Sequence, residues 1–108
     1  MGMTGNVSPP YIKSVKVPQT VRAGEPFTIE VNAEWPNPSW KHVDTKIKVD
    51  ENNHVIVVDH LGRRGPGMAL MVIQPFQFTE RLVVPSSGLW KLVVRGRAGN
   101  KELDITVS

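Results

Sequence analysis

The aromatic loop "EWPNPSWKH", residues 34–42, places two tryptophans and two prolines between segments that alternate like β-strands. An indole has a large flat face and one N–H donor, which suits contact with a sugar ring, a base or a peptide. Trp35 lies two residues after Ala33 and continues the core-facing row of the preceding strand, whereas Trp40 has no such relation. Trp35 and Trp40 are therefore candidate ligand contacts, with closure of the core as the alternative interpretation for both.

Two loops are rich in arginine, "GRRGPG" and "RGRAGNK". The guanidinium fork binds carboxylate, sulfate or phosphate oxygens in pairs. Arg63 and Arg64 in the first loop would form one anion-binding surface with Arg95, Arg97 and Lys101 in the second if both loops lie at one end of the domain. The alternative is that these are ordinary solvated turns, whose basic residues discourage aggregation at strand edges.

Three histidines, His42, His54 and His60, are the candidate metal ligands. His54 and His60 stand at opposite ends of one predicted strand, roughly 20 Å apart, and cannot share an ion. His42 can approach one of them across a sheet, but two ligands do not close a metal site. Met68 and Met71 add the soft sulfur that copper prefers. A copper- or zinc-handling domain is therefore only a lesser alternative, and no cofactor is predicted.

Catalytic residues show no recognisable spacing. Ser86 and Ser87 lie in a turn without a histidine at a defined distance, so a Ser-His-Asp triad is not supported. The "GRRGPG" loop lacks the lysine ending and the following helix of a phosphate loop. Glu80 falls on the apolar face of its strand, where a carboxylate needs a partner, and we expect a register shift near Pro75 to turn it outward. The sequence therefore predicts that the protein is not an enzyme.

Composition sets the limits of these interpretations. The chain has 108 residues, 40% of them hydrophobic and 21% charged, as in one ordinary globular domain. It has 0 cysteines, which excludes disulfides, thiolate metal sites and cysteine nucleophiles. The net charge of +3 is too small to predict a nucleic-acid partner. The apolar runs are too short for a membrane span, and the first ten residues lack the features of a signal peptide.

The strands that must position these groups follow from a period-two alternation, broken by turn residues in the rhythm of an all-β sandwich. In "FTIEVNAE" the core-facing residues are Phe27, Ile29, Val31 and Ala33. In "HVDTKIKV" the residues predicted to face inward are Val43, Thr45, Ile47 and Val49. "MALMVIQ" is expected to enter a strand that continues past Pro75. We predict a flexible tail over residues 1–10 and one antiparallel sandwich of seven or eight strands, with almost no helix, over residues 11–108.

The segments "VPQTVRAGEPFTIEVNAE" and "PSSGLWKLVVRGRAGNKELDITV" resemble an immunoglobulin-like sandwich. More narrowly, they are similar to the early-set-type modules of bacterial surface and accessory proteins, a family of unknown function. The resemblance covers the chain from Pro10 onward. It implies a place in the cell envelope or in a secreted protein rather than in the cytoplasm.

A finer resemblance concerns "PNPSW" and "MALMVIQPF". Some bacterial secreted or lipid-anchored immunoglobulin-like domains carry cysteines where this chain has Ser39 and Ala69. The resemblance implies that Ser39 and Ala69 lie close together, with packing in place of a disulfide.

Residues and resemblance together predict a monomeric, non-enzymatic binding or accessory module that recognises a protein or polysaccharide through its end loops. The alternative is a purely structural spacer whose loops only cap the core. The candidate contact residues are Trp35, Trp40, Arg63, Arg64, Arg95 and Arg97.

Overall fold

The computed structural model describes residues 7–66 and 70–108, and their strands form two facing sheets. The eight strands are β1 (Val7–Ser8), β2 (Tyr11–Lys16), β3 (Phe27–Trp35), β4 (Trp40–Asp50), β5 (Val55–Arg64), β6 (Gln74–Leu82), β7 (Gly88–Val94) and β8 (Lys101–Val107). Neither described range contains a helix. The prediction of an all-β sandwich is confirmed.

The wider sheet has the order β4-β5-β7-β8, with the short β1 beside the far end of β5. The narrower sheet has the order β2-β3-β6. Strand neighbours run antiparallel except β5 and β7, which are parallel from Val55↔Lys91 to Val58↔Val94. The chain crosses to the narrower sheet as β6 before it returns, so β7 follows the direction of β5.

The core lies between β3 and the centre of the wider sheet. Every second residue of β3, from Phe27 to Trp35, is buried, as the alternation predicts. Ile56, Val58 and Leu92 of the wider sheet face this row and are fully buried. Each of these side chains contributes about 1.5–3 kcal/mol when it leaves water, so loss of any one of them should be costly.

Strand β4 is far more exposed than its alternation predicts. The alternation predicts that Val43, Ile47 and Val49 face inward, but they are 45%, 40% and 38% exposed and do not belong to the buried core. Ile47 and Val49 are register partners of the buried Val58 and Ile56, and so they do lie on the inner face. They remain exposed because β4 is the outermost strand of the wider sheet and the facing sheet has only three strands.

Strand β6 keeps one register along its whole length. It pairs with β3 from Trp35↔Gln74 to Phe27↔Leu82 without a shift at Pro75. Pro75 is tolerated because β6 is an edge strand. Glu80 therefore stays on the inner face, and the prediction that a register shift turns it outward is wrong.

The start of the chain is ordered from its first described residue. Residues 1–6 of the predicted tail lie outside the described part. Val7 and Ser8 pair with Arg63 and Gly62 of β5, and Pro10 is fully buried. The last residues of the segment predicted as tail thus belong to the sandwich.

Candidate functional site

Three connections meet at one end of the sandwich, which we call the loop pole: residues 36–39, residues 65–66 with 70–73, and residues 95–100. They meet because β3, β5 and β7 all end there. The backbone N–H of Gly65 donates to the carbonyl of Ser39 at 2.8 Å, which joins the first two connections. The N–H of Arg97 donates to the carbonyl of Pro10 at 2.9 Å and holds the third against the start of β2.

An aromatic stack fills the loop pole. The rings of Trp35 and Trp40 are 5.8 Å apart between centroids and 8° from parallel. Phe76 stacks on Trp35 at 5.1 Å. Trp35 is only 5% exposed and lies over Gly62, where a Cβ would overlap its indole. Trp35 is therefore a structural residue that closes the core, which is the alternative interpretation that its spacing allowed.

Trp40 is half-buried and already has two neighbours over its ring system. Trp35 stacks on it, and the Arg97 guanidinium carbon lies 4.4 Å from its ring centroid. A sugar or a base would have to compete with both for the surface of this indole. The loop pole thus offers a guanidinium more readily than a bare aromatic platform.

Arg97 is held by rings and not by a carboxylate. Its guanidinium lies 5.8 Å from the Tyr11 ring centroid as well as over Trp40. Nε and Nη2 are buried and have no hydrogen-bond partner among the described residues. No carboxylate in that part of the chain lies within 4.0 Å of it. Because Nε and Nη2 are enclosed, an anion would meet this guanidinium through Nη1, or after a movement of the side chain.

The other three candidate arginines differ in whether a carboxylate lies near them. Arg63 and Arg64 are exposed, and their register partners are Lys41 and Trp40. Neither arginine forms an ion pair within the described residues. Arg95 differs, because its Nε lies 3.9 Å from the Asp59 carboxylate. The structure thus places Arg97 over the Trp40 indole and Arg64 at the register position of Trp40. Arg63 is the adjacent residue of β5, so its side chain leaves the opposite face of that strand. Arg95 has the Asp59 carboxylate within ion-pair distance.

Two of the three histidines stack on each other beside the aromatic stack. The rings of His42 and His60 are 4.0 Å apart, and Thr45 Oγ1 lies 2.8 Å from His42 Nε2 and 3.2 Å from His60 Nδ1. With Trp35 and Trp40 they line a cleft of about 450 Å³. His54 lies elsewhere, stacked on Trp90 at 4.5 Å. Within residues 7–66 and 70–108, no three His, Cys, Asp or Glu side chains are grouped as metal ligands.

The inward Glu80 has a histidine as its partner. Its Oε2 lies 3.6 Å from Nδ1 of His60, which also stacks on Phe78 at 3.7 Å. Burial, together with the nearby charge of His42, lowers the pKa of His60 to about 4. Burial raises the pKa of the Glu80 carboxyl above its ordinary value. The alternation of β6, which places Glu80 on the inner face, is the feature of the sequence that indicates this pair.

The segment before β6 also differs from its predicted structure, which is a strand. Leu70, Met71, Val72 and Ile73 lie outside any strand, because β6 begins only at Gln74. They are 74%, 90%, 55% and 56% exposed. Ala69 and Met68 lie outside the described residues, so the predicted proximity of Ser39 and Ala69 stays a prediction. The apolar composition of this run predicts a strand because apolar residues are usually buried, and the prediction is wrong.

No protein-family model, curated protein or solved structure matches this chain. Among the described residues, none belongs to a helix that is long and apolar enough to cross a membrane.

Proposed function

We propose that this chain is a non-enzymatic, immunoglobulin-like binding module that recognises an anionic group of its partner through the loop pole. The observation that carries the proposal is Arg97, whose uncompensated guanidinium is held by Trp40 and Tyr11. An arginine already fixed by stacking loses little conformational freedom when a ligand binds. Arg64 adds positive charge at the register position of Trp40, and Arg63 adds it on the opposite face of β5 at the same end of the sandwich. The resemblance to bacterial surface modules supports an extracytoplasmic place and a monomeric state.

The ionisable pair beneath the loop pole supports a role in binding and not in catalysis. His60 is 6% exposed, and its ring lies between His42 and Phe78. At neutral pH it is uncharged, because its pKa is about 4. A neutral histidine packed in this way forms part of the core beside the cleft.

The competing function is a structural spacer, and the aromatic stack favours it. Trp35 is buried and Trp40 is half-covered by its neighbours, so both indoles close the end of the sandwich. A spacer needs this closure, and in a spacer the arginines would be solvated charges that discourage aggregation at strand edges. The two functions therefore differ in what removal of those charges does.

Retention on a sulfated polysaccharide matrix distinguishes the two functions. We expect Arg63→Ala with Arg64→Ala to lower the affinity by about tenfold or more, because each lost charge-assisted hydrogen bond is worth about that factor. The matched control is Arg22→Ala with Arg81→Ala, which removes the same charge from exposed sites on other parts of the sandwich. Equal losses in both double variants would show that only net charge matters and would overturn the proposal.

A further inference from the structure

Four consecutive large apolar side chains protrude from the loop pole. Leu70 and Met71 are 74% and 90% exposed, and Val72 and Ile73 are both more than half exposed. Single exposed hydrophobic residues are common on proteins, but a contiguous exposed run marks an interaction site. The name apolar tip is used below for Leu70–Ile73.

The apolar tip is joined directly to the cationic surface. The next residue after it is Gln74, the register partner of Trp35. The apolar tip therefore lies beside the aromatic stack that closes the core. Ile73 lines a shallow cleft with Tyr11 and Lys101, which belong to the start of β2 and the start of β8. Tyr11 is also one of the two rings that hold Arg97.

The shape of the apolar tip favours a fluid partner. Its residues are not part of a strand, and all four are more than half exposed, so they do not form one flat face. A rigid protein surface would cover one side of such a run and leave the other in water. The acyl region of a bilayer can surround it on all sides.

The charges around the apolar tip indicate which bilayer. Arg63, Arg64 and Lys41 are exposed and form no ion pair within the described part of the chain. Together with Arg97 they present positive charge at the same end as the apolar run. Peripheral membrane attachment usually needs two signals, an apolar insertion and a basic patch that meets anionic headgroups. The loop pole carries both.

We infer that the anionic partner of the loop pole is a lipid surface, into which Leu70–Ile73 insert while Arg63 and Arg64 contact the headgroups. This inference rests on the proposed function, because it names the partner of that same site. It commits to a bilayer and not to an anionic polysaccharide or an acidic protein.

Vesicle flotation tests the inference. The probes are vesicles of phosphatidylcholine alone and of phosphatidylcholine mixed equally with phosphatidylglycerol. We expect the chain to float with the mixed vesicles and not with the neutral ones. Leu70→Ser with Met71→Ser should weaken binding by at least about tenfold, because the apolar insertion is lost. Arg63→Ala with Arg64→Ala should weaken it by about fivefold for each arginine.

The matched control is Leu89→Ser with Val83→Ser. These residues are 63% and 47% exposed, and they lie near the start of β7, at the opposite end from the loop pole. Their replacement should change vesicle binding by less than about twofold if the site is the loop pole. All four positions are exposed, and thermal unfolding of each variant checks that the sandwich is retained.

The possible results distinguish failure of the lipid inference from failure of the proposed function. Retention on sulfated polysaccharide without flotation would overturn the lipid inference and leave the proposed function standing. Flotation that depends on the arginines but not on Leu70 and Met71 would show surface adsorption and would overturn insertion. If the unaltered chain neither floated with the mixed vesicles nor was retained on sulfated polysaccharide, both proposals would be overturned.

Discussion

Arg97 determines what a ligand meets at the loop pole. Contacts between a guanidinium and an aromatic face contribute about 0.5–2 kcal/mol, enough to fix the side chain in one orientation. They do not neutralise its charge as a carboxylate would. Arg95, two residues earlier, is instead compensated by Asp59. Two arginines of one loop thus have different roles, and spacing alone does not distinguish them.

The His60–Glu80 pair is the other residue-scale feature, and its two members respond to pH in opposite ways. The pKa of His60 falls from 6.5 to about 4 on folding, so its contribution is present above pH 6.5 and is lost as pH falls toward 4. The pKa of Glu80 is raised, so its buried charge costs stability as pH rises above its ordinary value of 4.5. Protonation of Glu80 therefore offsets part of the loss at His60.

Glu80→Gln should make the protein more sensitive to acid. The variant lacks the carboxyl that gains a proton, so its free energy of unfolding should fall more steeply between pH 6.5 and 4 than that of the unaltered chain. The His60 shift corresponds to about 3 kcal/mol over this pH range, and the extra loss in the variant is the part that protonation of Glu80 otherwise offsets. Urea unfolding at a series of pH values measures it. His60→Phe is the control, because it should flatten the profile; an unchanged slope in His60→Phe would contradict the assignment to His60.

At the scale of the element, β4 shows what alternation can and cannot predict. The period of two correctly gives the side of the sheet to which Ile47 points, because its register partner Val58 is fully buried. It does not show whether the facing sheet covers that side chain, because this depends on how many strands the facing sheet has. The same limit applies to Leu70–Ile73, whose apolar composition is typical of a strand but which lie outside one.

Ile47→Ala and Ile56→Ala should therefore differ in cost although both residues lie on the inner face. Ile47 is 40% exposed, and we expect its truncation to lower the free energy of unfolding by less than about 1 kcal/mol. Ile56 is 0% exposed, and its truncation leaves a cavity that should cost about 2–5 kcal/mol. Chemical denaturation compares the two. Similar costs would mean that β4 is covered in solution.

For the whole molecule, the loop pole depends on topology that no local pattern contains. Arg63 and Arg64, at the end of β5, and Arg97, just after β7, share one end of the sandwich because β5 and β7 are parallel. A parallel pair requires the chain to cross to the other sheet between the two strands. Composition marks Arg63, Arg64 and Arg97 as candidates, but the prediction that Arg63 and Arg64 lie in a loop is wrong, because β5 continues to Arg64. Composition could not place the three together, because their juxtaposition is set by strand order and by the contact of Arg97 with Trp40.

Gly62 of the wider sheet packs against the Trp35 indole of the narrower sheet, and its replacement tests what this contact does. The Trp35 indole occupies the space where a Cβ of residue 62 would lie. Gly62→Ala must therefore displace Trp35, on which Trp40 stacks, and overpacking of this kind costs about 1–3 kcal/mol. We expect a lower unfolding midpoint, greater access of a quencher to tryptophan, and weaker retention on sulfated polysaccharide, because Trp40 no longer holds Arg97 in place.

Gly65→Ala is the matched control for this substitution. The new Cβ would lie 3.2 Å from the carbonyl oxygen of Ser39, a tight contact that needs a shift of only a few tenths of an ångström, whereas the overlap at Gly62 is with the Trp35 ring itself. Its unfolding midpoint and its retention should stay close to those of the unaltered chain. If Gly62→Ala lowered stability yet left retention unchanged, the stack would close the core without positioning Arg97. Equal midpoints for the two variants would mean that Trp35 does not seal the sandwich at all.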